Sequence, residues 1–295
     1  MSDNTIQIFG EVLFDHFPDG NCVLGGAPFN VAWHLQAFGQ SPCFVSRIGS
    51  DQPGEAVRQA MRDWQMDLSG LQVDAVHPTG AVQVSIEQNE PSYLIVPEQA
   101  YDFIDAGQLP VVHERGLLYH GTLALRHTVS RQALAVLKRR HRGRVFMDVN
   151  LREPWWNKDD VLEWVKDADW VKLNHLELQA LQTESDNLES AMRRFLLRHG
   201  LQGLVVTRGE EGAIAMNADG EEIVVAPVRS LQVVDTVGAG DAFAAVLMLG
   251  IQLGWSLRQT LKRAQAFASA LVGCRGATVR DRDFYRPFVS EWFRG

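Results

Sequence analysis

Short apolar runs alternate with segments of helical periodicity along almost the whole chain. Short apolar runs fit buried strands, whereas apolar residues three or four positions apart fit one face of a helix. We predict strands at residues 6–9, 42–48, 117–120, 145–149, 170–173, 203–207 and 231–234. We predict helices at 28–38, 53–64, 130–140, 160–166, 175–181, 188–198 and 239–252. Strands separated by helices imply right-handed crossovers and a mostly parallel sheet covered on both faces, so the predicted fold class is α/β.

One segment, residues 81–96, departs from this order. It alternates apolar and polar positions, reaches turn-forming residues at 89–92 and alternates again. This pattern predicts a β-hairpin that is at most half buried. An antiparallel pair inserted in a parallel fold should lie outside the main sheet. Two interpretations stay open, decoration of a sheet edge or a lid over a pocket, and we favour the lid.

A glycine-rich turn leads into the longest apolar helix. The stretch from Val233 to Phe243 runs from apolar residues through Gly238 and Gly240, with Asp241 in the first turn of the predicted helix. The free N–H groups at a helix start, together with the helix dipole, form an anion site. A carboxylate beside an anion site suits the removal of a proton next to a phosphate. The alternative interpretation is an Asp that caps a tight strand-to-helix turn.

Polar residues and glycines follow the predicted strands where each strand ends. Ligands of open α/β sheets bind at this carboxyl edge. The segments are 10–15, 24–30, 148–152, 174–177, 207–212 and 235–241. Loops commonly contain such residues, so each segment alone is more simply explained as structural. Six of them on one predicted edge favour a functional site.

Composition and charge exclude several classes of protein. The chain has 295 residues, of which 46% are hydrophobic and 22% charged, and its net charge is −8. A general nucleic-acid binder would usually carry a basic face. Cys22, Cys43 and Cys274 have neither disulfide nor zinc spacing, which is typical of reduced thiols in a cytoplasmic protein. No signal peptide is expected, and the apolar run 242–251 is too short to span a membrane, which needs about 20 residues.

Taken together, these motifs resemble the PfkB (ribokinase-like) family of sugar kinases. The resemblance covers residues 10 to 277 and is carried by DTVGAGDA at 235–242, by GGAPFNVA at 25–32 and by the segments 38–39 and 48–54. Residues 10–15, 100–104 and 148–152 look most like fructokinases. The resemblance implies a three-layer sandwich with a mostly parallel sheet. It also implies a single kinase domain over 1–295, with a small β lid from 11–24 and 79–104.

The resemblance implies transfer of the γ-phosphoryl group of ATP to a sugar hydroxymethyl group. Asp241 would be the general base for the sugar hydroxyl. Gly238 forms the turn, and the N–H groups of Ala239, Gly240 and Asp241 would hold the charge of the transferring phosphoryl group. In phosphoryl transfer the protein mostly positions groups and neutralises charge, so base and anion site belong together.

The nucleotide and its metal would be held by later segments. Asn174 and Glu177 match the Asn-x-x-Glu motif that places Mg²⁺, largely through water, although the same spacing also fits a helix-capping pair. The residues matched to the nucleotide-binding turn are Thr207, Arg208, Gly209 and Gly212, where Arg208 is either a phosphate contact or an exposed turn residue. Gln265, Ala268 and Gly276 fall where the family lines its adenine pocket.

The sugar would be bound by residues near the amino terminus and after the strand at 145–149. The matched positions are Asp15, Gly25, Gly26, Asn30, Asn150 and Arg152. Carboxylate and amide groups suit a polyol because they form paired hydrogen bonds. For Asp15 a loop turn, and for Arg152 a surface ion pair, are the structural alternatives. Residues 120–125 lack the Glu of ribokinases, which weakens ribose as a substrate.

Other properties follow only by analogy with the family. Asp235, Val237, Cys274 and Gly276 sit where many members bind a monovalent cation, which leaves K⁺ activation open. Lid strands sometimes pair between subunits, which suggests a homodimer.

We expect a cytoplasmic fructokinase that binds ATP and a sugar, with no nucleic-acid or membrane partner. The alternatives are a kinase for 2-keto-3-deoxygluconate, ribose or a nucleoside, and a non-catalytic sensor. A nicotinamide-dependent dehydrogenase would need Gly-x-Gly-x-x-Gly after the first strand, which residues 10–15 do not supply.

Overall fold

The computed structural model describes residues 5–87, 90–111, 115–182, 187–227 and 233–293. The strands are β1 (Thr5–Phe9), β2 (Leu13–His16), β3 (Cys22–Gly25), β4 (Cys43–Gly49), β5 (Leu71–Asp74), β6 (Gly80–Glu87), β7 (Glu90–Ile95), β8 (Gly116–His120), β9 (Arg144–Asp148), β10 (Trp170–Asn174), β11 (Gly203–Thr207), β12 (Ala213–Asn217) and β13 (Glu222–Val225). The helices are α1 (Ala27–Ala37), α2 (Gln52–Asp63), α3 (Thr128–Arg140), α4 (Lys158–Val165), α5 (His175–Leu181), α6 (Leu188–His199), α7 (Ala239–Leu253), α8 (Leu257–Leu271) and α9 (Arg282–Trp292). Short 3-10 helices cover Ala100–Phe103, Ala106–Gln108, Leu123–Arg126 and Gly209–Glu211.

Nine strands form the main sheet, in the order β13-β12-β11-β10-β9-β8-β1-β4-β5. From β11 to β5 all neighbouring strands pair in parallel, and only β12 and β13 are antiparallel additions at one edge. Parallel neighbours bring the carboxyl ends of their strands to one edge of the sheet. Four of the predicted strand-exit segments, 10–15, 148–152, 174–177 and 207–212, therefore meet along that edge. Segment 24–30 instead follows β3 of the second, smaller sheet, and 235–241 follows no described strand.

Helices cover both faces of the sheet and form two separate cores. Successive strand residues point to opposite faces, so Ile8 packs into one core and Phe9 into the other. The first core contains residues of α1, α2, α7, α8 and α9, and the second contains residues of α3, α4, α5 and α6. This is the three-layer α/β sandwich that the sequence predicts.

The predicted hairpin belongs to a second, four-stranded sheet with the order β3-β2-β6-β7. Within it, β2 pairs in parallel with β6, and the other two pairs are antiparallel. The register places Asp15 opposite Val82, so the hairpin lies against the segment that carries Asp15. This small sheet is the lid that the sequence predicts.

Two predictions from the sequence are wrong in detail. Residues 90–92 are not part of a turn, because they belong to β7 and pair with residues 85–87; Asn89 lies outside the described residues. Pro91 suggested a turn, but β7 is an edge strand, where a missing N–H is tolerated. The strand predicted at 231–234 begins outside the described residues, and its last two residues, which are exposed, are not in a strand. The N–H of Val234 instead donates to the carbonyl of Val272 at the end of α8, 2.9 Å away.

Helix α7 is buried along almost its full length between α1 and α8. Residues 242–251 have little or no exposure, which confirms the prediction of a core helix. Its packing against α8 is close at Gly250, where a methyl group would lie 2.3 Å from the side chain of Thr260. Within the described residues, no helix combines the length and the apolar character needed to cross a membrane.

Candidate active site

The turn before α7 requires glycine at its centre. Gly238 is the residue that precedes the helix, and its φ of 78° lies in the left-handed region that favours glycine. A methyl group there would also lie 2.4 Å from the Cβ atom of Ala277. The turn places the backbone of Ala239 and Gly240 in the first turn of the helix, followed by Asp241. A carboxylate and the N–H groups of a helix start therefore lie within one turn of chain. The N–H of Ala239, predicted to bind the phosphoryl group, instead donates to the carbonyl of Thr236 over 3.3 Å.

Asp241 is held from the neighbouring helix. The side-chain amide of Asn30 in α1 donates a hydrogen bond to Asp241 Oδ2 over 2.8 Å. Burial raises the pKa of the Asp241 carboxyl to about 6, against the opposing effect of the Asn30 hydrogen bond, and the Asp148 carboxylate raises it further. A carboxylate with a pKa near 6 is mostly ionised at neutral pH and still accepts a proton readily.

A cleft of about 740 Å³ lies between the lid and the carboxyl edge of the main sheet. We call it the lid cleft, because Val82, Tyr93 and Ile95 of the small sheet line it. Of the residues predicted to bind sugar, those that line it are Asp15, Gly26, Asn30, Asn150 and Arg152. Asp241 lines it as well, so the predicted base and sugar-binding residues share one cavity.

Gly25 lies at the wall of this cleft without lining it directly. It is buried at the end of β3. A methyl group on Gly25 would lie 3.8 Å from Asp15 Oδ2 and 3.9 Å from Asn30 Oδ1. Both oxygens thus lie at ordinary van der Waals distance from this position, which places Gly25 beside Asp15 and Asn30.

A second cleft of about 980 Å³, the helix cleft, lies beside α7 and α8. The predicted nucleotide-binding residues that line it are Thr207, Gly209, Gly212, Gln265 and Ala268. The lid cleft and the helix cleft share the lining residues Thr207, Thr236 and Gly240. The start of α7 therefore lies where the two clefts meet.

Two predicted nucleotide-binding residues are placed differently. The guanidinium of Arg208 pairs with Glu211 at 3.1 Å, and Arg208 is not among the residues that line the helix cleft. Gly276 also lies outside that lining, and its N–H donates to Asp235 Oδ2 over 3.0 Å. The structure thus brings Gly276 to the turn before α7 rather than to the wall of the helix cleft.

Asn174 and Glu177 form a reciprocal cap at the start of α5. Asn174 Oδ1 accepts from the Glu177 N–H at 2.9 Å, and Glu177 Oε2 accepts from the Asn174 N–H at 2.8 Å. Glu177 Oε1 accepts from the N–H of Leu151 at 3.1 Å. Both residues line the lid cleft, and burial raises the pKa of Glu177. The capping interpretation is correct for the local geometry, and the metal role stays a prediction.

The loops matched to a cation site meet through Asp235. Its carboxylate accepts from the N–H of Val237 and from that of Gly276, each at 3.0 Å. Cys274 lies nearby in sequence, but its thiol is directed back to the carbonyl of Ala270 over 3.9 Å. Asp235 therefore fixes the two loops to each other, while the Cys274 side chain belongs to the end of α8.

Three buried charged residues of the lid cleft received no individual role from the sequence, although Glu11 and Asp148 lie in two of the predicted strand-exit segments. Lys172 Nζ donates to Asp148 Oδ1 over 2.7 Å, and the hydroxyl of Tyr119 donates to Asp148 Oδ2 over 3.3 Å. Burial opposes the charge on Lys172, but the adjacent Asp148 carboxylate raises its pKa, so the lysine stays protonated. Glu11, the third residue, follows β1 and is buried. Asp148 ends β9 and Glu11 lies just after β1, and that position was the available signal; Lys172 is the middle residue of β10 and gave none.

Lys172 lies close to the start of α7. A methyl group at Gly240 would lie 3.7 Å from Lys172 Nζ. A buried ammonium group, the backbone at the start of α7 and the Asp241 carboxylate thus converge where the two clefts meet. Such an arrangement can hold a phosphoryl group beside a proton acceptor.

Comparisons with known proteins agree with this geometry. The model for pfkB family carbohydrate kinases matches residues 5–282. The chain belongs to this family. The fructokinase of Klebsiella pneumoniae is 32% identical over an alignment of 261 residues, and the match covers 83% of this chain and 84% of that protein.

Two solved kinase structures have the same fold. A double mutant of the fructokinase from Vibrio cholerae O395, with fructose, ADP and potassium bound, has a TM-score of 0.82 at 25% identity, and covers 97% of this chain and 98% of its own. Aminoimidazole riboside kinase from Salmonella enterica, with aminoimidazole riboside and an ATP analogue bound, has a TM-score of 0.83 at 27% identity and covers 97% and 100%. The family and the fold predicted from the sequence are thereby confirmed, and the protein is a carbohydrate kinase.

Proposed function

We propose that this kinase phosphorylates the hydroxymethyl group of fructose with ATP and forms fructose 6-phosphate. The observation that carries the proposal is the position of Asp241, held by Asn30 at the start of α7 where the lid cleft meets the helix cleft. The lid cleft would take the sugar, and the helix cleft would take the nucleotide. The likeness to fructokinases supports fructose as the sugar.

The transfer would proceed in one step at the start of α7. The sugar hydroxyl oxygen bonds to the γ-phosphorus while the bond from that phosphorus to the β–γ bridging oxygen breaks, and the hydroxyl proton passes to Asp241. The N–H groups of Gly240 and Asp241, with the ammonium of Lys172, would bear the charge of the phosphoryl group. These groups are already in place, so little reorganisation is needed during the reaction.

The residues present fit a water-mediated Mg²⁺ ion. In the described part of the chain, no group of three or more His, Cys, Asp or Glu side chains is arranged to hold a metal directly. Glu177 is one buried carboxylate in the lid cleft whose oxygens accept from backbone N–H groups and still have free lone pairs. Mg²⁺ commonly keeps several waters and binds through one or two carboxylates and substrate phosphates. Bound there, it would neutralise phosphate charge, with Asn174 orienting Glu177.

K⁺ would activate the kinase by binding to carbonyl groups of the loops that Asp235 joins. The two N–H bonds to Asp235 fix the loop of Val237 against that of Gly276, next to the turn of Gly238. An ion bound there would hold the anion-binding turn in place. Activity in K⁺ that exceeds activity in Na⁺ at equal ionic strength would support this role.

The protein would form a homodimer through its lid and act in the cytoplasm. Val23, Tyr93 and Leu94 are large apolar side chains of the lid that are at least 39% exposed, and a second lid could cover them. Cys22, Cys43 and Cys274 are all free thiols, as in a reducing compartment. A molar mass by light scattering that equals twice 33.0 kDa would support the dimer, and Leu94→Glu should then give monomers.

A panel of acceptors with ATP, followed by release of ADP, tests the function. The panel contains fructose, ribose, 2-keto-3-deoxygluconate and aminoimidazole riboside, the last because a kinase for it has a similar structure. The expected result is the highest kcat/KM for fructose. A preference for another acceptor would change the proposed substrate but leave the kinase assignment. If no acceptor in the panel led to release of ADP, the proposal would be contradicted.

A further inference from the structure

Glu11 is a buried carboxyl group that the family assignment leaves without a role. It lies just after β1, is 2% exposed and lines the lid cleft. Its Oε2 atom has no hydrogen-bond partner among the described residues. Burial raises the pKa of this carboxyl to about 7, and the nearby Asp241 carboxylate acts in the same direction. A buried polar atom without a partner needs an explanation, and a ligand in the adjoining cavity supplies one.

Glu11 belongs to the same wall as the predicted sugar-binding residues. A methyl group on Gly26 would lie 2.7 Å from the Glu11 carbonyl, so the glycine turn packs directly on the Glu11 backbone. Asn30 Oδ1 is also buried without a partner, because the amide of that residue is turned towards Asp241. Together with Asp15 these residues present hydrogen-bond acceptors to one part of the cavity. A polyol supplies the donors that such a surface needs.

The helix cleft does not include Glu11 in its lining. A ligand of Glu11 would therefore be the molecule in the lid cleft and not the nucleotide. That cleft is lined by six residues with carboxyl groups, together with Arg152 and Lys172; the six are Glu11, Asp15, Asp148, Glu153, Glu177 and Asp241.

We propose that Glu11 is a substrate-binding residue whose free carboxyl oxygen bonds a hydroxyl group of the sugar at the buried end of the lid cleft. The inference rests on the proposed function, because it needs a sugar in that cleft. It adds a specificity determinant, since a sugar without that hydroxyl would leave the buried oxygen unpaired. A site built to bind a hydroxyl group rejects analogues that lack it.

Monodeoxy analogues of fructose, assayed with wild type, Glu11→Ala and Glu11→Gln, test the proposal. Glu11→Ala should raise KM for fructose by roughly tenfold or more and leave KM for ATP within about twofold, since one substrate hydrogen bond is lost. Glu11→Gln keeps an acceptor oxygen and should recover most of that loss. For the one analogue that lacks the contacted hydroxyl, the kcat/KM values of wild type and Glu11→Ala should be nearly equal.

Thermal unfolding of each variant separates an effect on binding from an effect on folding. Asp63→Asn is the control for a lost negative charge, because Asp63 is an exposed residue at the end of α2. A purely structural Glu11 would lower kcat/KM by the same factor on every analogue, and that result, or no loss on fructose, would overturn the proposal. If the acceptor panel prefers another sugar, the same comparison uses deoxy analogues of that sugar. A failed fructose assignment and a failed role for Glu11 thus give different results.

Discussion

Replacing Asp241 by Asn removes the proton acceptor while keeping the shape of the turn. The amide oxygen can still accept from Asn30 Nδ2, which lies 2.8 Å from Oδ2 in the wild type. Turnover should fall by about 10²- to 10⁴-fold, the usual contribution of a general base. KM for sugar and KM for ATP should change little, because the surrounding hydrogen-bonding groups remain.

The same substitution should stabilise the folded protein. The pKa of Asp241 is raised from 3.8 to about 6, so the folded state favours the protonated carboxyl more than the unfolded state does. The contribution of Asp241 to wild-type stability is therefore lost as pH rises from about 4 to about 6. The Asp241→Asn variant lacks this contribution, and its difference from wild type separates it from Glu11 and the other carboxyl groups with raised pKa values, which both proteins share. A difference of about 2 pKa units corresponds to up to about 3 kcal/mol at pH 7, and to almost nothing at pH 4.

Two measurements check this prediction together. Steady-state release of ADP between pH 5 and 8 should show wild-type kcat/KM rising through about pH 6 as Asp241 ionises. Chemical denaturation at pH 4 and pH 7 gives the free energy of unfolding of wild type and Asp241→Asn, with Asp63→Asn as the control. Unchanged turnover, or a variant less stable than wild type at pH 7, would refute the reasoning.

Three further substitutions test other parts of the site. Gly238→Ala should destabilise the fold by about 1–3 kcal/mol, measured by denaturation, because its φ is 78° and the methyl group would meet Ala277 at 2.4 Å; an unchanged midpoint would contradict the strain argument. Lys172→Met should cost about 3–5 kcal/mol because it leaves Asp148 buried without its partner at 2.7 Å, and adding Asp148→Leu should recover most of that loss. Glu177→Gln should raise the Mg²⁺ concentration for half-maximal activity severalfold, and an unaltered Mg²⁺ dependence would remove Glu177 from the metal site.

The sequence predicted the carboxyl edge of the sheet well because polar residues at strand ends are conspicuous against apolar strands. Asp241, Asn30 and Asp15 all lie in the segments so identified, the family resemblance supplied the sugar-binding roles of Asn30 and Asp15, and all three line one cleft. Glu11 shares a segment with Asp15 but received no role, and Lys172 was not singled out, since a single charged residue in or beside an apolar run gives no sign of which way its side chain points. Their burial and their hydrogen-bond partners depend on which strands become neighbours, and local periodicity does not predict the order of strands in a sheet.

Some elements were missed for identifiable physical reasons. Strands β12 and β13 form an antiparallel edge of the main sheet, and the short exposed-buried alternation of β13 resembles a surface loop. Helix α9 contains Pro287, which argues against a helix on local grounds, yet Tyr285 and Trp292 are buried against α1 and α8. Tertiary packing therefore decided these elements against their local preference.

The close packing of Gly250 against Thr260 has a consequence at a distance. Gly250 lies nine residues from Asp241 on α7, or about 14 Å at 1.5 Å per residue, and it lines neither cleft. A side chain at Gly250 would meet Thr260 and push α8 away from α7. Because α8 carries Gln265 and Ala268, a substitution remote from both clefts would thereby displace one wall of the helix cleft.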